Sequence, residues 1–356
     1  MAENAQQHPG RGARSNEDSR FLALHRVAEP TEEYVDPDLP PRRPETELRR
    51  EQPRTILTRN QSPDVPFEVS INAYRGCEHG CVYCYARITH SYLDLSPGLD
   101  FETKLVVKDQ AAETLVRELS APGYRVSPIA LGTNTDPYQP VEREQRVTRA
   151  ILDTLLRFGH PVTIVTKSAL ILRDLDLLTR LAERNLVTAF VSVTTLDAAL
   201  KRSLEPRAAS PAARLRALEA LAAAGVPTGV LVAPVIPAVT DMELESILEA
   251  ARAVQVRYAG YLLLRLPREV RELFEEWCAA ELPLRAAHIQ SLIRSTHFGA
   301  DYDSRFGHRM KGDGPYAQAI AGRFALACRK LKFESRDSLK LDTTQFRVPT
   351  PQLDLL

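Results

Sequence analysis

Short runs of apolar residues alternate with amphipathic segments along the middle of the chain. Six runs are rich in Val, Ile, Leu and Thr, as strands covered on both faces are. They span residues 67–73, 128–132, 162–166, 188–193, 228–232 and 260–264. Strand alternating with helix predicts an α/β fold with a parallel sheet and right-handed crossovers.

Several segments between these runs carry helix end signals. Ser210 precedes a first-turn proline, Pro211, and Gly225 closes the same apolar face. Thr240 and Glu243 form a capping-box pattern that opens the next helix. Further helices are predicted over 111–119, 142–158, 171–183, 269–278, 285–295 and 316–331.

The pattern divides the chain into three regions. Residues 1–62 are rich in Pro, Arg and Glu without a sustained apolar period, which predicts a largely disordered N-terminal arm. Residues 63–267 form the strand–helix core. Residues 268–356 depart from the repeat and are predicted to be a helical C-terminal extension.

Composition limits the class of protein. The chain has 356 residues, a formal net charge of zero and 44% apolar residues, which argues against a protein that coats nucleic acid. No apolar run approaches the length of about 18 residues that predicts a transmembrane helix, and the N-terminus lacks a secretory apolar segment. With three of five cysteines clustered, we expect a reducing, cytoplasmic location.

Cys77, Cys81 and Cys84 follow a C-x3-C-x2-C spacing, and glycines precede the first two. Three thiolates without a nearby fourth cysteine favour a cluster with one vacant metal position over a closed four-ligand site. The alternative is a Cys3His zinc site that uses His79 or His90. That alternative predicts a zinc-stabilised nucleic-acid-binding protein without catalysis.

The segment NAYRGCEHGCVYCYARITH, with Tyr83 between two cysteines, resembles the signature of the radical S-adenosylmethionine (SAM) superfamily. Further segments, among them GTNTDPYQP, EPRAASPAARL, APVIP and FGHRMKGDGPY, resemble the branch labelled spore photoproduct lyase-like or "DNA repair photolyase". The resemblance covers roughly residues 55–335. It implies a six-stranded (β/α)6 partial barrel, open on a side that the C-terminal extension could cover.

The resemblance also implies a chemistry. Cys77, Cys81 and Cys84 would hold a [4Fe–4S] cluster whose fourth iron chelates SAM. An electron from a flavodoxin- or ferredoxin-like donor would cleave SAM to methionine and a 5′-deoxyadenosyl radical, which abstracts hydrogen from a substrate. DNA or RNA, a protein or a small molecule all remain candidate substrates.

Polar residues follow the predicted strands, where parallel α/β folds gather their active sites. The resemblance places the Thr133–Asp136 turn, including Thr135, where relatives contact the SAM ammonium. Lys167 or Arg214 could pair with the carboxylate of SAM. Ser192 and Thr194 are candidate partners of its ribose, and Pro234 is a candidate contact of its adenine. Tyr83 is expected to pack against the cluster or the adenine. The alternatives are turn chemistry, surface ion pairs and, for Tyr83, a core aromatic.

The C-terminal extension contains a glycine-rich basic loop with Arg305, Arg309 and Lys311. Such a loop can bind phosphates, and the alternative is a mobile surface loop. Spore photoproduct lyase carries a further cysteine that returns hydrogen to its product, whereas no cysteine lies between Cys84 and Cys278 here. The sequence therefore does not predict thymine-dimer reversal. Cys278 and Cys328 are predicted to be buried thiols, with hydrogen donation as the alternative.

Overall fold

A computed structural model describes residues 8–22, 44–335 and 338–349. Its strands are β1 (Glu47–Glu51), β2 (Leu57–Arg59), β3 (Val69–Ile71), β4 (Tyr74–Arg75), β5 (Lys104–Lys108), β6 (Ile129–Leu131), β7 (Val162–Thr166), β8 (Val187–Ser192), β9 (Thr228–Val235) and β10 (Tyr258–Leu263).

The α-helices are α1 (Asp100–Thr103), α2 (Ala111–Leu119), α3 (Glu142–Gln145), α4 (Val147–Phe158), α5 (Leu175–Ala182), α6 (Ala198–Leu204), α7 (Pro211–Ala223), α8 (Leu244–Ala253), α9 (Glu269–Glu281), α10 (Ala286–Ser295) and α11 (Gly314–Lys330). Segments of 3₁₀ helix span Tyr85–Leu93, Ala169–Asp174 and Asp241–Glu243. Among the described helices, none combines the length and the apolar character that a membrane crossing requires.

The main sheet has the strand order β10-β9-β8-β7-β6-β3-β2. Strands β3 and β6 to β10 are parallel and follow each other in chain order across the sheet, and β2 joins the edge antiparallel to β3. A doubly wound sheet reverses its order part-way, and this sheet does not. The six predicted strands are confirmed, and the carboxyl ends of the parallel strands meet at one edge.

Two predicted helices are divided. The segment 142–158 breaks at Arg146, which takes a left-handed conformation with φ 53°. The Glu142 carboxylate accepts the N–H of Thr148 at 3.1 Å and that of Arg149 at 3.4 Å, and so satisfies the first turn of α4. The segment 171–183 begins as 3₁₀ helix and continues as α5. Ser210 caps α7 as predicted, through the N–H of Ala213.

The prediction of a largely disordered arm over 1–62 is wrong where the structure describes that region. Strand β1 pairs in parallel with β5, and β4 pairs antiparallel with the other edge of β5. Residues 8–22 make specific hydrogen bonds to the core. Polar composition misled here because these segments gain their partners from distant parts of the chain. Residues 1–7 and 23–43 lie outside the described residues.

The C-terminal extension is helical as predicted, and it bridges the two edges of the main sheet. Leu263, at the end of β10, donates its N–H to the Met310 carbonyl at 3.0 Å. Asp64, which lies between β2 and β3, accepts the N–H of Gly307 at 2.6 Å and the Arg309 guanidinium. The loop 305–313 therefore links the last parallel strand to the segment that precedes the first.

Candidate metal and cofactor site

The three clustered cysteines lie on a tight loop, residues 76–84, which we call the cysteine loop. Gly76 and Gly80 have positive φ values of 78° and 67°. A Cβ on Gly76 would stand 2.8 Å from the Phe101 carbonyl oxygen, and one on Gly80 would stand 2.6 Å from a Glu102 carboxylate oxygen. Both positions therefore require glycine for conformation and for space.

Buried polar side chains fix this loop from two sides. Gln139 accepts the N–H of Glu78 at 2.8 Å and donates to the Gly76 carbonyl at 3.2 Å, so it holds the backbone on both sides of Cys77. Arg87 is fully buried and donates through Nε to the Cys81 carbonyl at 2.9 Å. The sequence prediction missed Gln139 and Arg87, although both lie in segments that carry the family resemblance.

The thiols are withdrawn from water. Cys77 and Cys81 are buried and Cys84 is half-buried, and all three are free. Burial raises the pKa of Cys77 well above its usual range, with a further rise from Asp136 and from the other two thiols. Burial also raises the pKa of Cys81 and of Cys84. Coordination to metal is the ordinary means by which buried thiols become thiolates.

Cations surround the loop on its strand-end side. Lys167 and Arg214 act electrostatically on Cys81, and Lys167, Arg87 and Arg265 act on Cys84, in each case lowering the thiol pKa against the effect of burial. These cations favour the thiolate at Cys81 and Cys84, whereas Glu205 opposes it at Cys81 and Asp136 opposes it at Cys77. Three free cysteines on one loop, with cations beside two of them, fit a thiolate-bound metal cluster.

Glu205 is the centre of a buried polar network beside the cysteines. Its carboxylate accepts Thr194 Oγ1 at 2.7 Å, the Tyr83 hydroxyl and the Arg214 guanidinium, and it lies 3.9 Å from Lys167 Nζ. Burial would raise the pKa of Glu205, but Arg214 and Lys167 outweigh it and hold that pKa at about 2. Sequence reasoning missed Glu205, because a lone glutamate after a helix looks like a surface charge.

This network corrects two predicted ligand contacts. Arg214 is 1% exposed and donates to the Ala209 carbonyl at 2.9 Å, to the Ser192 carbonyl at 3.0 Å and to Glu205. Arg214 therefore holds the protein interior together and does not reach a ligand carboxylate. The Thr194 hydroxyl is likewise fully buried and engaged by Glu205, so it is not a ribose partner.

The turn after β6 is held by Asn72, at the end of β3. Asn72 Oδ1 accepts Thr133 Oγ1 at 3.2 Å and the N–H groups of Asn134 and Thr135 at 2.9 and 3.3 Å. Thr135 Oγ1 donates to the Tyr74 carbonyl at 3.3 Å. The hydroxyls predicted to contact SAM thus serve the turn itself, and Asn134 is exposed at its tip.

Asp136 is also committed within the chain. It accepts Thr166 Oγ1 at 2.6 Å and the N–H of Lys167 at 2.7 Å, and it lies 3.3 Å from His79 Nδ1. Burial would raise its pKa, but His79 and these hydrogen bonds hold the pKa below its usual range. Asp136 therefore joins the ends of β6 and β7 to the cysteine loop, and its predicted contact with an ammonium stays a prediction.

Three predicted residues keep positions that suit a ligand. Lys167 Nζ is bonded to the Ala233 carbonyl at 3.0 Å and lies 5.9 Å from the centre of the Tyr83 ring, with 16% of its side chain exposed. Pro234 is half-buried in β9. Ser192, at the end of β8, is buried, and its contact with a ribose stays a prediction.

An aromatic and a cation that the sequence prediction did not select lie next to Cys84. The guanidinium of Arg265 stands 4.1 Å from the centre of the Tyr85 ring, and the Tyr85 hydroxyl donates to the Thr133 carbonyl. Arg265 is half-buried and makes no hydrogen bond or ion pair within the described residues. The sequence did offer one signal for Arg265. It follows β10, and the segments after the other five parallel strands had each supplied a candidate site residue.

The basic loop is largely neutralised by its own neighbours. Arg305 pairs with Asp303 at 2.6 Å, and Arg309 pairs with Asp64 and donates to Ser62 Oγ at 2.5 Å. Both guanidinium groups have acidic partners, and their predicted phosphate contacts stay predictions. Lys311 is exposed and stays a candidate.

The two histidines of the zinc alternative are engaged elsewhere, since His79 faces Asp136 and His90 Nε2 is bonded to the Lys104 carbonyl at 2.9 Å. Within residues 8–22, 44–335 and 338–349, no group of three His, Cys, Asp or Glu side chains is placed to hold one metal ion. The cysteines of a polynuclear cluster bind different irons, so their sulfurs need not converge as the ligands of one ion do.

The sequence of the chain matches a known protein family. The family model described as the radical SAM superfamily matches residues 71–251, which is just over half of the chain and includes the cysteine loop. The chain belongs to the radical SAM superfamily. Membership implies that the cofactors are SAM and a [4Fe–4S] cluster. It also supports the interpretation that the protein is an enzyme that uses radical chemistry.

Relatives and solved structures agree with this membership. An uncharacterized protein of Mycobacterium tuberculosis is 40% identical over 65% of this chain and 68% of its own length. An uncharacterized protein of Methanocaldococcus jannaschii is 28% identical over 58% and 74%. A spore photoproduct lyase variant with bound SAM and dinucleoside spore photoproduct matches in structure, with a TM-score of 0.56, 16% identity and coverage of 80% and 79%. That likeness shows the radical SAM fold.

The two cysteines outside the loop lie in packed surroundings. Cys278 is fully buried beside Phe274 and Trp277, and Cys328 is half-buried on α11. Burial raises the pKa of Cys278 to about 12 and that of Cys328 to about 11. Cys278 agrees with the prediction of a buried thiol, whereas Cys328 is only partly withdrawn from solvent.

Proposed function

We propose that the chain is a radical SAM enzyme in which Cys77, Cys81 and Cys84 bind a [4Fe–4S] cluster at the carboxyl ends of a six-stranded open barrel. When bound and reduced, the cluster supplies the electron that cleaves SAM to methionine and a 5′-deoxyadenosyl radical, which takes a hydrogen atom from the substrate. The observation that carries the proposal is the cluster of three free cysteines, two buried and one half-buried, with Lys167 beside Cys81 and Cys84 and with Arg265 beside Cys84.

The residues of the chain then take distinct roles. Lys167 and Arg265 are the cations that pair with the carboxylate of SAM, and a guanidinium can do so with two parallel hydrogen bonds. Asn134 and the backbone of its turn face the ammonium in place of Asp136. Tyr83 excludes water beside the sulfurs, and Ser192 and Pro234 border the nucleoside.

Glu205 and Arg214 act as positioning residues in this scheme. Arg214 neutralises Glu205, and Glu205 in turn draws the Lys167 ammonium and the Tyr83 hydroxyl into place. The Glu205 carboxylate already accepts hydrogen bonds from Thr194, Tyr83 and Arg214. The Lys167 ammonium donates to the Ala233 carbonyl and has further N–H donors that a ligand can use.

The substrate class is proposed more broadly. The structurally similar lyase holds a dinucleoside photoproduct, so a nucleic acid is one candidate. The paired state of Arg305 and Arg309 weakens that candidate, and the exposed Lys311 supports it. A flavodoxin- or ferredoxin-like protein is proposed as the electron donor.

Anaerobic reconstitution with iron and sulfide tests the cofactor. We expect iron–sulfur absorption and, under reductant, formation of 5′-deoxyadenosine from SAM. Cys77→Ser should lose the absorption, whereas the matched Cys328→Ser should keep it. One zinc per chain without sulfide would instead support the zinc alternative, and a cluster without 5′-deoxyadenosine would overturn the mechanism but not the cofactor.

The same turnover assay, run with and without DNA or RNA, tests the substrate class. Faster SAM cleavage in the presence of one nucleic acid would support it as substrate. Equal rates would direct the search to proteins and small molecules. A Lys311→Gln variant that abolishes any acceleration would locate the contact on the loop 305–313.

A further inference from the structure

Residues 8–16, which we call the strap, lie directly against the cysteine loop. A Cβ on Gly12 would stand 1.8 Å from the Gly80 carbonyl oxygen and 3.1 Å from a Val82 side-chain carbon. The two backbones therefore touch at this point, immediately before Cys81. Such an approach leaves no room for a side chain at position 12.

Glu102 connects the strap to the cysteine loop. Its side chain is fully buried and accepts the N–H of Gly12 at 2.9 Å and that of Ala13 at 2.8 Å. On its other side the same carboxylate pairs with Arg87, whose Nε is bonded to the Cys81 carbonyl. A continuous hydrogen-bonded path thus leads from the strap backbone to the backbone of a cysteine.

Further bonds hold the strap in this position. Arg11 donates to the Glu102 carbonyl and to Thr46 Oγ1, at 2.7 and 2.9 Å. Thr46 Oγ1 in turn donates to Glu78 on the cysteine loop at 2.6 Å. The Ser15 carbonyl accepts the N–H of Leu99 at 3.2 Å. The strap is therefore tied to the loop and to α1 at several points.

The energetic consequence follows from burial. A buried carboxylate is stable when its lone pairs are satisfied, and removing donors leaves a costly charge in a dry site. Without the strap, the Glu102 carboxylate would lose two backbone donors. The destabilised side chain would then hold Arg87, and through it the Cys81 carbonyl, less firmly.

We propose that the strap is a structural part of the cluster site, in which residues 11–13 clamp the cysteine loop through Glu102 and Arg87 and so determine how firmly a cluster is retained. The inference rests on the proposed function, because it takes the cysteine loop as the place where the cluster binds. It assigns a positioning role to the region for which the sequence predicts disorder.

The full-length Gly12→Ala variant tests the clamp, since the added methyl group must push the strap away from Gly80. The matched control is Gly10→Asn, two residues away, where a Cβ meets nothing within 4 Å and asparagine tolerates the positive φ. Two readouts apply: hydrogen exchange of amides 77–84 in the purified protein, and the rate at which a chelator removes iron from the reconstituted protein.

We expect both rates to rise about tenfold or more in Gly12→Ala and to stay within about twofold in Gly10→Asn, since hydrogen bonds to a carboxylate are strong. Arg11→Met should shift both rates in the same direction, which keeps the test available if Gly12→Ala does not fold. Wild-type rates of hydrogen exchange and of iron removal in both Gly12→Ala and Arg11→Met would overturn the clamp. A parent protein that binds no iron would instead overturn the proposed function, while hydrogen exchange would still report on the strap.

Discussion

At the residue scale, Glu205 concentrates the electrostatics of the site. Replacing it with glutamine leaves the buried Arg214 without its counter-charge, and we expect a loss of about 3 kcal/mol in the free energy of unfolding at pH 7. Because the pKa of Glu205 is about 2 in the folded protein, its contribution is complete above the ordinary pKa of about 4.5. It falls as the pH drops from there towards 2.

Urea unfolding of wild type and Glu205→Gln at several pH values between 7 and 3 measures this difference. Glu219→Gln, on the exposed face of α7, is the matched control and should change stability by less than about 0.5 kcal/mol. A difference between Glu205→Gln and wild type that stays constant from pH 7 to pH 3 would contradict the assignment.

Arg265 supports a second prediction at this scale. Arg265→Gln removes a cation that lies beside Tyr85 and Cys84 and has no ion pair in the part of the chain that the structure describes. We therefore expect the Kd for SAM to rise about tenfold or more, with iron content unchanged. Titration calorimetry on the reconstituted protein gives the Kd. Arg216→Gln, an exposed arginine on α7, should bind SAM as wild type does. Equal affinity in both variants would remove Arg265 from the site.

The sequence indicated which residue types lie at the candidate site. It did not indicate which groups those residues contact. The three clustered cysteines and Lys167 lie close together beyond the carboxyl ends of the parallel strands. Arg214 has the right charge in the right region, yet it faces inwards because Glu205 lies beside it. Whether a polar side chain serves a ligand or the protein depends on groups distant in sequence, which spacing does not reveal.

At the element scale, the loop 305–313 joins the two edges of the sheet through Asp64. We expect Asp64→Asn to weaken this link, because the side chain then loses the charge that Arg309 neutralises. Limited digestion with trypsin should cut after Arg305, Arg309 or Lys311 several times faster than in wild type. Burial would raise the pKa of Asp64, but Gly307 and Arg309 hold it below its usual range, so the link should also weaken as the pH falls through that pKa.

Asp301→Asn is the control for that experiment. Asp301 pairs with Arg271 and Arg294 inside the C-terminal extension and makes no ion pair across the sheet edges within the described residues. We therefore expect trypsin to cut Asp301→Asn in the loop 305–313 at the wild-type rate, and only Asp64→Asn to be cut faster. Equal cleavage rates in wild type and Asp64→Asn would show that the loop is held by Met310 and its neighbours instead.

Elements were predictable where burial imposes a pattern. Strand β8, with the sequence VTAFVS, is buried along its whole length, and its Val, Thr and Phe residues are typical of a strand covered on both faces. Strand β1, with the sequence ELRRE, is mostly exposed and carries no such signal, so its pairing with β5 appears in the structure alone. The strap is a similar case, since its order comes from Glu102, about ninety residues away.

At the scale of the whole molecule, the two ends of the parallel sheet have different tasks. The carboxyl ends carry the cysteine loop, Glu205 and Lys167. Residues 338–349 pack near the opposite end, where Gln345 is bonded to the Arg184 carbonyl at 2.7 Å and the Phe346 ring lies 5.6 Å from the His160 ring. This separation follows the general division of such folds into a catalytic and a stabilising end.

His160 makes that stabilising end sensitive to acid. Its ring is fully buried, with Nδ1 bonded to the Pro161 carbonyl at 3.0 Å and Nε2 to the Tyr124 hydroxyl at 2.8 Å. Burial lowers the pKa of His160 to about 4, and burial lowers that of His90 to about 4 as well. In the unfolded chain both rings take up a proton near pH 6.5. The unfolded state therefore binds more protons between pH 6.5 and 4, and stability falls as the pH falls through that window.

We expect wild type to lose about 2 kcal/mol of unfolding free energy between pH 7 and pH 5 through His160 alone, and His160→Gln to lose correspondingly less over the same range. Urea unfolding at the two pH values measures both slopes. His288→Gln, an exposed histidine on α10, should keep the wild-type slope. If His160→Gln also kept it, His160 would not be the source of the acid sensitivity, and His90, whose pKa burial also lowers to about 4, would be the next residue to replace.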